Sequence, residues 1–156
     1  MTLTTLAWLA LIAYALHIME EFTLDWRDWA RGVIHLPVEW SDFYVTNAVV
    51  VVLGIAQAEL AASLPLIPLS FAALMLINAT FFHVLPVIVT KGRYSPGVAT
   101  AVVLFYPIGI AVFVRAAADD VGAGTMIAAG VIGAALMAYP IVLLRLRRKP
   151  YFRQTY

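Results

Sequence analysis

Three ionisable side chains near the start of the chain, His17, Glu20 and Glu21, have the spacing of one helical face. Steps of three and four residues place them within an arc of roughly 100°. One imidazole and two carboxylates converging in this way support two kinds of chemistry: ligation of a hard or borderline divalent metal, or an acid–base pair whose members titrate apart. A metal needs a further donor from another element, and His83 is the one at hand, because His35 lies beside Pro37 in a polar, solvated segment. The expected ligand set is His17, Glu20 and His83, holding Zn or non-haem Fe with open positions. Glu21 is then the base that activates water or takes a substrate proton. Without a metal, the Glu/His pair would move protons on an isoprenoid-like substrate, with Trp or Tyr faces stabilising a cation. Asn78 joins the candidate site as a hydrogen-bonding group. It projects about 140° away from His83 on an ideal helix, so both face one site only if that helix is distorted. Pro86 favours distortion, because it lacks an N–H and its ring clashes with the Phe82 carbonyl.

Each of these groups also has a plainer reading. Glu20 and Glu21 could mark a helix end among lipid headgroups, His17 could bond a backbone carbonyl, and Asn78 could simply join two helices. Glu59 reads as interfacial, and the tryptophans as a membrane belt. Three convergent ionisable groups exceed what packing requires, which favours a functional cluster.

The elements that must position these groups follow from composition. Of 156 residues, 63% are hydrophobic and 12% charged, against roughly 45–50% and about 25% in soluble domains. These residues cannot make a polar shell, and a bilayer needs none. The absence of cysteine excludes disulfides, Fe–S clusters and thiolate chemistry. The formal charge of +1 gives no reason to expect nucleic acid. The apolar N-terminus has no basic leader and runs into the ionisable cluster instead of a small-residue cleavage site, so it is expected to be a retained helix.

The fold class expected is all-α: a single membrane domain over residues 1–156 with five spanning helices. Stretches of about 20 apolar residues suffice to cross the hydrocarbon, and five qualify: 2–21, 43–62, 64–90, 98–118 and 121–146. Pro86, Pro107 and Pro140 are candidate kink sites in the last three. Residues 24–42 interleave charges with Trp26, Trp29, Val33 and Trp40 and predict a short interfacial helix ended by Pro37, with Ser41 and Asp42 capping the second span. Gly122, Gly124, Gly130 and Gly133 predict close packing of the fifth. An outside N-terminus and a cytoplasmic C-terminus put Arg27, Arg31, Lys91, Arg93, Arg145, Arg147, Arg148, Lys149 and Arg153 on the cytoplasmic side and Arg115 alone opposite, a strong positive-inside pattern. The first and third spans then both run inward. His83 falls about 12 Å from the boundary at Lys91, in one layer with His17, Glu20, Glu21 and Asn47 in the cytoplasmic half of the bilayer. Glu59 lies at the other end.

The string His17-Ile18-Met19-Glu20-Glu21 resembles the signature of the HXXEE family of small bacterial membrane proteins. Asn78-Ala-Thr-Phe-Phe-His83 is similar to that family's Asn/His segment, and Tyr94-Ser95-Pro96-Gly97 followed by Thr100 is similar to its Tyr-x-Pro-Gly-x-x-Thr turn. The resemblance spans roughly residues 10–105. It implies a multi-helix protein of the inner or plasma membrane and draws attention to Tyr94, Pro96, Gly97 and Thr100 besides the residues above. The family is named for a motif, so the resemblance supplies no reaction. The reading on chemical grounds is an enzyme acting on a lipophilic small molecule that enters from the lipid bilayer. The alternatives are a small transporter or ion-binding protein using the same cluster, and a structural or assembly protein; a homo-oligomer fits any of them.

Overall fold

The computed structural model describes residues 1–152, so Arg153, counted above among the cytoplasmic basic residues, lies outside the described residues. Among the described residues, five helices are long and apolar enough to span a membrane: α1 (Leu3–Thr23), α3 (Trp40–Leu60), α4 (Leu66–Val89), α5 (Val98–Ala118) and α6 (Ala123–Leu146), with the short α2 (Trp26–Val33) between the first two. At about 1.5 Å per residue, their 21 to 24 residues match a hydrocarbon core of about 30 Å. The chain is a multi-pass helical membrane protein.

α4 is the hub, packing against α6, α5, α3 and α1, while α1 also packs on α3 and α5. Lipid solvates apolar side chains as well as another helix does, so close backbone approach and hydrogen bonds must hold such a bundle. Gly133 brings α6 onto α4 so closely that a Cβ there would meet the Ala73 methyl at 2.6 Å, the Leu74 nitrogen at 2.8 Å and the Ser70 carbonyl at 2.9 Å. Gln57, buried in α3, donates to the Ala7 carbonyl of α1 over 2.6 Å. The expectation that four glycines pack α6 is thus corrected to one. A Cβ on Gly122, Gly124 or Gly130 would meet nothing within 4 Å.

The interfacial helix is shorter than predicted. It ends at Val33, before Pro37, because His35 adopts a left-handed conformation (φ 53°) that turns the chain back. α3 then starts at Trp40, and Asp42 accepts the backbone N–H of Glu39 over 2.9 Å. Glu39 also accepts from Arg27 (2.7 Å) and Arg31, pinning α2 to the entrance of α3. These two guanidinium groups hold the Glu39 carboxyl below the usual carboxylate range. The apolar side of α2 buries Trp29 and Ala30 with Leu36, Val38 and Leu144, roofing the end of the bundle where α1 finishes.

α4 and α5 share a local irregularity. Each contains a π-helical stretch, Ala79–Val84 and Ala101–Phe105, placed two residues before a proline, Pro86 and Pro107. A proline clashes with the carbonyl four residues earlier, and a widened turn relieves that clash.

Adding a Cβ separates the two kinds of α6 glycine. Gly133→Ala is expected to destabilise the bundle by about 1–3 kcal/mol through overpacking. Gly130→Ala should be neutral or stabilising by up to about 1 kcal/mol, since Ala is the better helix former. Thermal unfolding of both variants in detergent checks the opposite signs.

Candidate functional site

α1 delivers His17 and Glu21 one turn apart, both buried, and α4 delivers His83, also buried, from its π segment. Hydrogen bonds from i to i+5 stack residues five apart, so the widened turn removes much of the 140° that separates Asn78 from His83 on a regular helix. The histidine rings meet edge to face with centroids 4.7 Å apart. Their Nε2 atoms lie 3.6 Å (His17) and 3.5 Å (His83) from the same oxygen, Glu21 Oε1. Phe105 lies against His17 at 4.4 Å, and Tyr14 stacks on Phe105 at 5.2 Å, closing the site on its apolar side.

Glu20 faces a different element. Its carboxylate accepts hydrogen bonds from the Tyr94 hydroxyl (2.5 Å), the backbone N–H groups of Gly97 (3.0 Å), Ala99 (3.1 Å) and Thr100 (2.8 Å), and the Thr100 hydroxyl (2.6 Å). The first N–H groups of a helix have no partner within it and carry a partial positive charge, so an acidic side chain brought there from α1 satisfies both needs of α5. Burial, and after it the Glu20 carboxylate, pushes the Tyr94 phenol up to about 12, which keeps it a donor.

These contacts determine where the imidazole protons sit. Only an ionised carboxylate accepts at both oxygens from so many donors, so the Thr100 hydroxyl spends its one hydrogen on Glu20. The same oxygen, 2.8 Å from His17 Nδ1, must then accept, and His17 carries its proton on Nδ1. The second histidine repeats the arrangement. Ser95 donates to the Phe82 carbonyl over 3.3 Å, the group that Pro86 leaves without its helical donor, and accepts from His83 Nδ1 over 3.2 Å. Both Nε2 atoms are therefore lone-pair donors. They are buried and have no hydrogen-bond partner.

One atom from each of His17, Glu21 and His83 lies within 4.8 Å of the others, a group that can hold a metal ion. Tetrahedral ligands at bond lengths of about 2.0–2.2 Å lie about 3.4 Å apart, close to the two observed nitrogen–oxygen separations. Each imidazole's far nitrogen is bonded to a hydroxyl, the arrangement that orients metal-binding histidines.

The two neighbouring carboxylates thus sit differently from expectation. Glu20, expected as the third ligand, is committed to the start of α5, and Glu21 takes the place beside the histidines; three residues from His17, Glu20 projects to the side of that face on which the 94–100 turn lies. Asn78 is buried with Oδ1 unpartnered, and it lines a cleft of about 70 Å³ together with Glu21 and the half-buried Asn47. Glu59 and His35 are exposed.

Gly97 links the two halves of the site. With φ at 95°, it caps α5, and a Cβ there would meet His83 Cε1 at 2.5 Å and His17 Cε1 at 2.7 Å. The orienting roles of Ser95 and Thr100 escaped the sequence reading; the available signal was two hydroxyl residues flanking a Pro-Gly pair. Gln57 escaped it too, signalled by an amide in an apolar span.

Thr100→Val leaves His17 Nδ1 and Glu20 Oε2 short of a partner and is expected to cost about 1–3 kcal/mol, whereas Thr100→Ser retains the hydroxyl and most of the stability. Gly97→Ala adds left-handed strain of about 1–3 kcal/mol to a clash with both rings, and should be the worst of the three. Thermal unfolding in detergent ranks them, and any other order contradicts the geometry.

Comparison with curated proteins and with solved structures finds no match. Residues 8–112 match the family model described as a protein of unknown function with HXXEE motif. Covering about two thirds of the chain, and with His17, Glu20 and Glu21 supplying the motif's own residues, that match makes the chain a member of the HXXEE family.

Proposed function

We propose that this protein is a membrane metalloenzyme in which His17, Glu21 and His83 hold a divalent metal, Zn or Fe, and act on a lipophilic small molecule. The observation that carries the reading is the pair of buried, unpartnered Nε2 atoms facing Glu21 Oε1 at 3.6 and 3.5 Å. Two imidazoles and one carboxylate leave coordination positions open, which suits hydrolytic Zn or non-haem Fe. A metal there would polarise a substrate oxygen or lower the pKa of a bound water. Burial excludes bulk solvent, which strengthens each electrostatic interaction at the centre.

The site belongs to the cytoplasmic half of an inner or plasma membrane, with the N-terminus outside. Basic residues support this orientation: Arg27 and Arg31 in α2, Lys91 and Arg93 in the α4–α5 turn, and Arg145 to Lys149 at the end of α6 all fall at one end of the bundle.

Elemental analysis of detergent-purified protein from metal-supplemented medium tests the assignment. Wild type is expected to carry close to one equivalent of a transition metal, lost in His17→Ala, His83→Ala and Glu21→Gln. Glu20→Gln should retain the metal while lowering thermal stability, because that carboxylate serves α5. Metal-free, well-folded wild type would overturn the ligand assignment; the cluster would then be read as a proton-transfer site, since Glu21 Oε1 lies near both imidazoles.

A further inference from the structure

The cleft that reaches Glu21 does not end inside the bundle. α3 and α6 each pack on α4 and share no extended interface with each other. Thr46 and Pro140, facing across this gap, line both the cleft at Glu21 and a second groove of about 170 Å³ whose walls include Val49, Leu53, Leu136 and Tyr139. The groove extends toward the middle of the membrane, since Leu53 lies two turns beyond Thr46 along α3. At the opposite end, Arg147, just past α6, grips both oxygens of Asp42 of α3 over 2.7 and 3.0 Å, tying the helices together at the headgroup level.

We infer that the gap between α3 and α6 is a lateral portal that admits one neutral long-chain alcohol from the bilayer, its chain in the groove and its hydroxyl at Asn78 beside Glu21. The inference rests on the reading of His17, Glu21 and His83 as the reacting centre. Three observations select this occupant. The groove wall is almost wholly apolar and lies alongside acyl chains, so it suits hydrocarbon standing parallel to lipid. The cleft contains Glu21 and Asp42, and the guanidinium at its edge, Arg147, is already spent on Asp42, which disfavours a carboxylate or phosphate head. Asn78, 7% exposed, presents an unpartnered Oδ1 there, and a buried amide oxygen of this kind calls for a donor such as a hydroxyl.

Photolabelling tests this. Protein in phosphatidylcholine nanodiscs is irradiated with hexadecanol bearing a mid-chain diazirine, adducts are mapped by peptide mass spectrometry, and metal is measured on the same samples. Expected are adducts on residues 45–53 and 136–143 that excess hexadecanol removes and excess palmitate does not. This competed labelling is lost in Asn78→Leu and in Leu136→Trp, which fills the groove, while both variants keep wild-type metal content. Adducts scattered over the outward faces of all five spans, or removed equally by palmitate, would overturn the proposal. Competed labelling of metal-free protein would retain the portal and remove the metal; metal-loaded protein without competed labelling would do the reverse.

Discussion

The carboxylate of Glu20 on the start of α5 is the contact from which the rest of the site follows. It brings the 94–100 turn against α1, and with that turn come Ser95, Gly97 and Thr100. Thr100 accepts from His17 while its own hydrogen goes to Glu20. Gly97 fits over both imidazoles only because the turn holds it there with φ at 95°. Charge-assisted hydrogen bonds are worth about 1.5–3 kcal/mol each at most exposures, and Glu20 makes five at once, so one side chain from a neighbouring helix can position a whole turn.

Two prolines contribute in a second way. A membrane helix tolerates an interrupted hydrogen-bond ladder when neighbouring side chains restore the missing bonds. In α4 the π turn before Pro86 places His83 at the site, and the Phe82 carbonyl finds its donor in Ser95, the residue that orients His83. In α5 the matching π turn ends at Phe105, the ring lying against His17. Thr80 and Tyr106 join the irregular stretches of the two helices through their hydroxyls, 3.0 Å apart. The distortions therefore occur where the functional side chains need directions that a regular helix does not provide.

Packing in lipid explains why the bundle is tight on one side and open on the other. Without a hydrophobic force between helices, contacts form where small residues or buried polar groups allow them. Gly133 and Gln57 mark such contacts for α6 on α4 and for α3 on α1. Between α3 and α6 the rim pair of Asp42 and Arg147 joins the helices, and below it lie the cleft and groove.

Composition and periodicity were enough to read an all-helical membrane protein with five spans, because crossing hydrocarbon demands runs of apolar residues that nothing else in a chain imitates. The span over residues 98–118 was read to the residue; the others differ from the structure by up to three residues at an end, where caps such as Asp42 on Glu39 set the boundary by local hydrogen bonding. The motif spacing also showed that His17 and Glu21 share a helical face. It did not show that Glu20, one residue away, serves another helix, since an arc of roughly 100° spans two neighbours and only packing decides which side chain meets which. Nor did it show the π turn that carries His83, because that turn lies before Pro86 and is joined by a serine twelve residues beyond His83. Residue types and their period along one helix are local properties that the sequence carries by itself. Which carboxylate faces a ligand, which nitrogen holds a proton and where a cleft opens depend on contacts between helices far apart in the chain, and only the tertiary structure decides them.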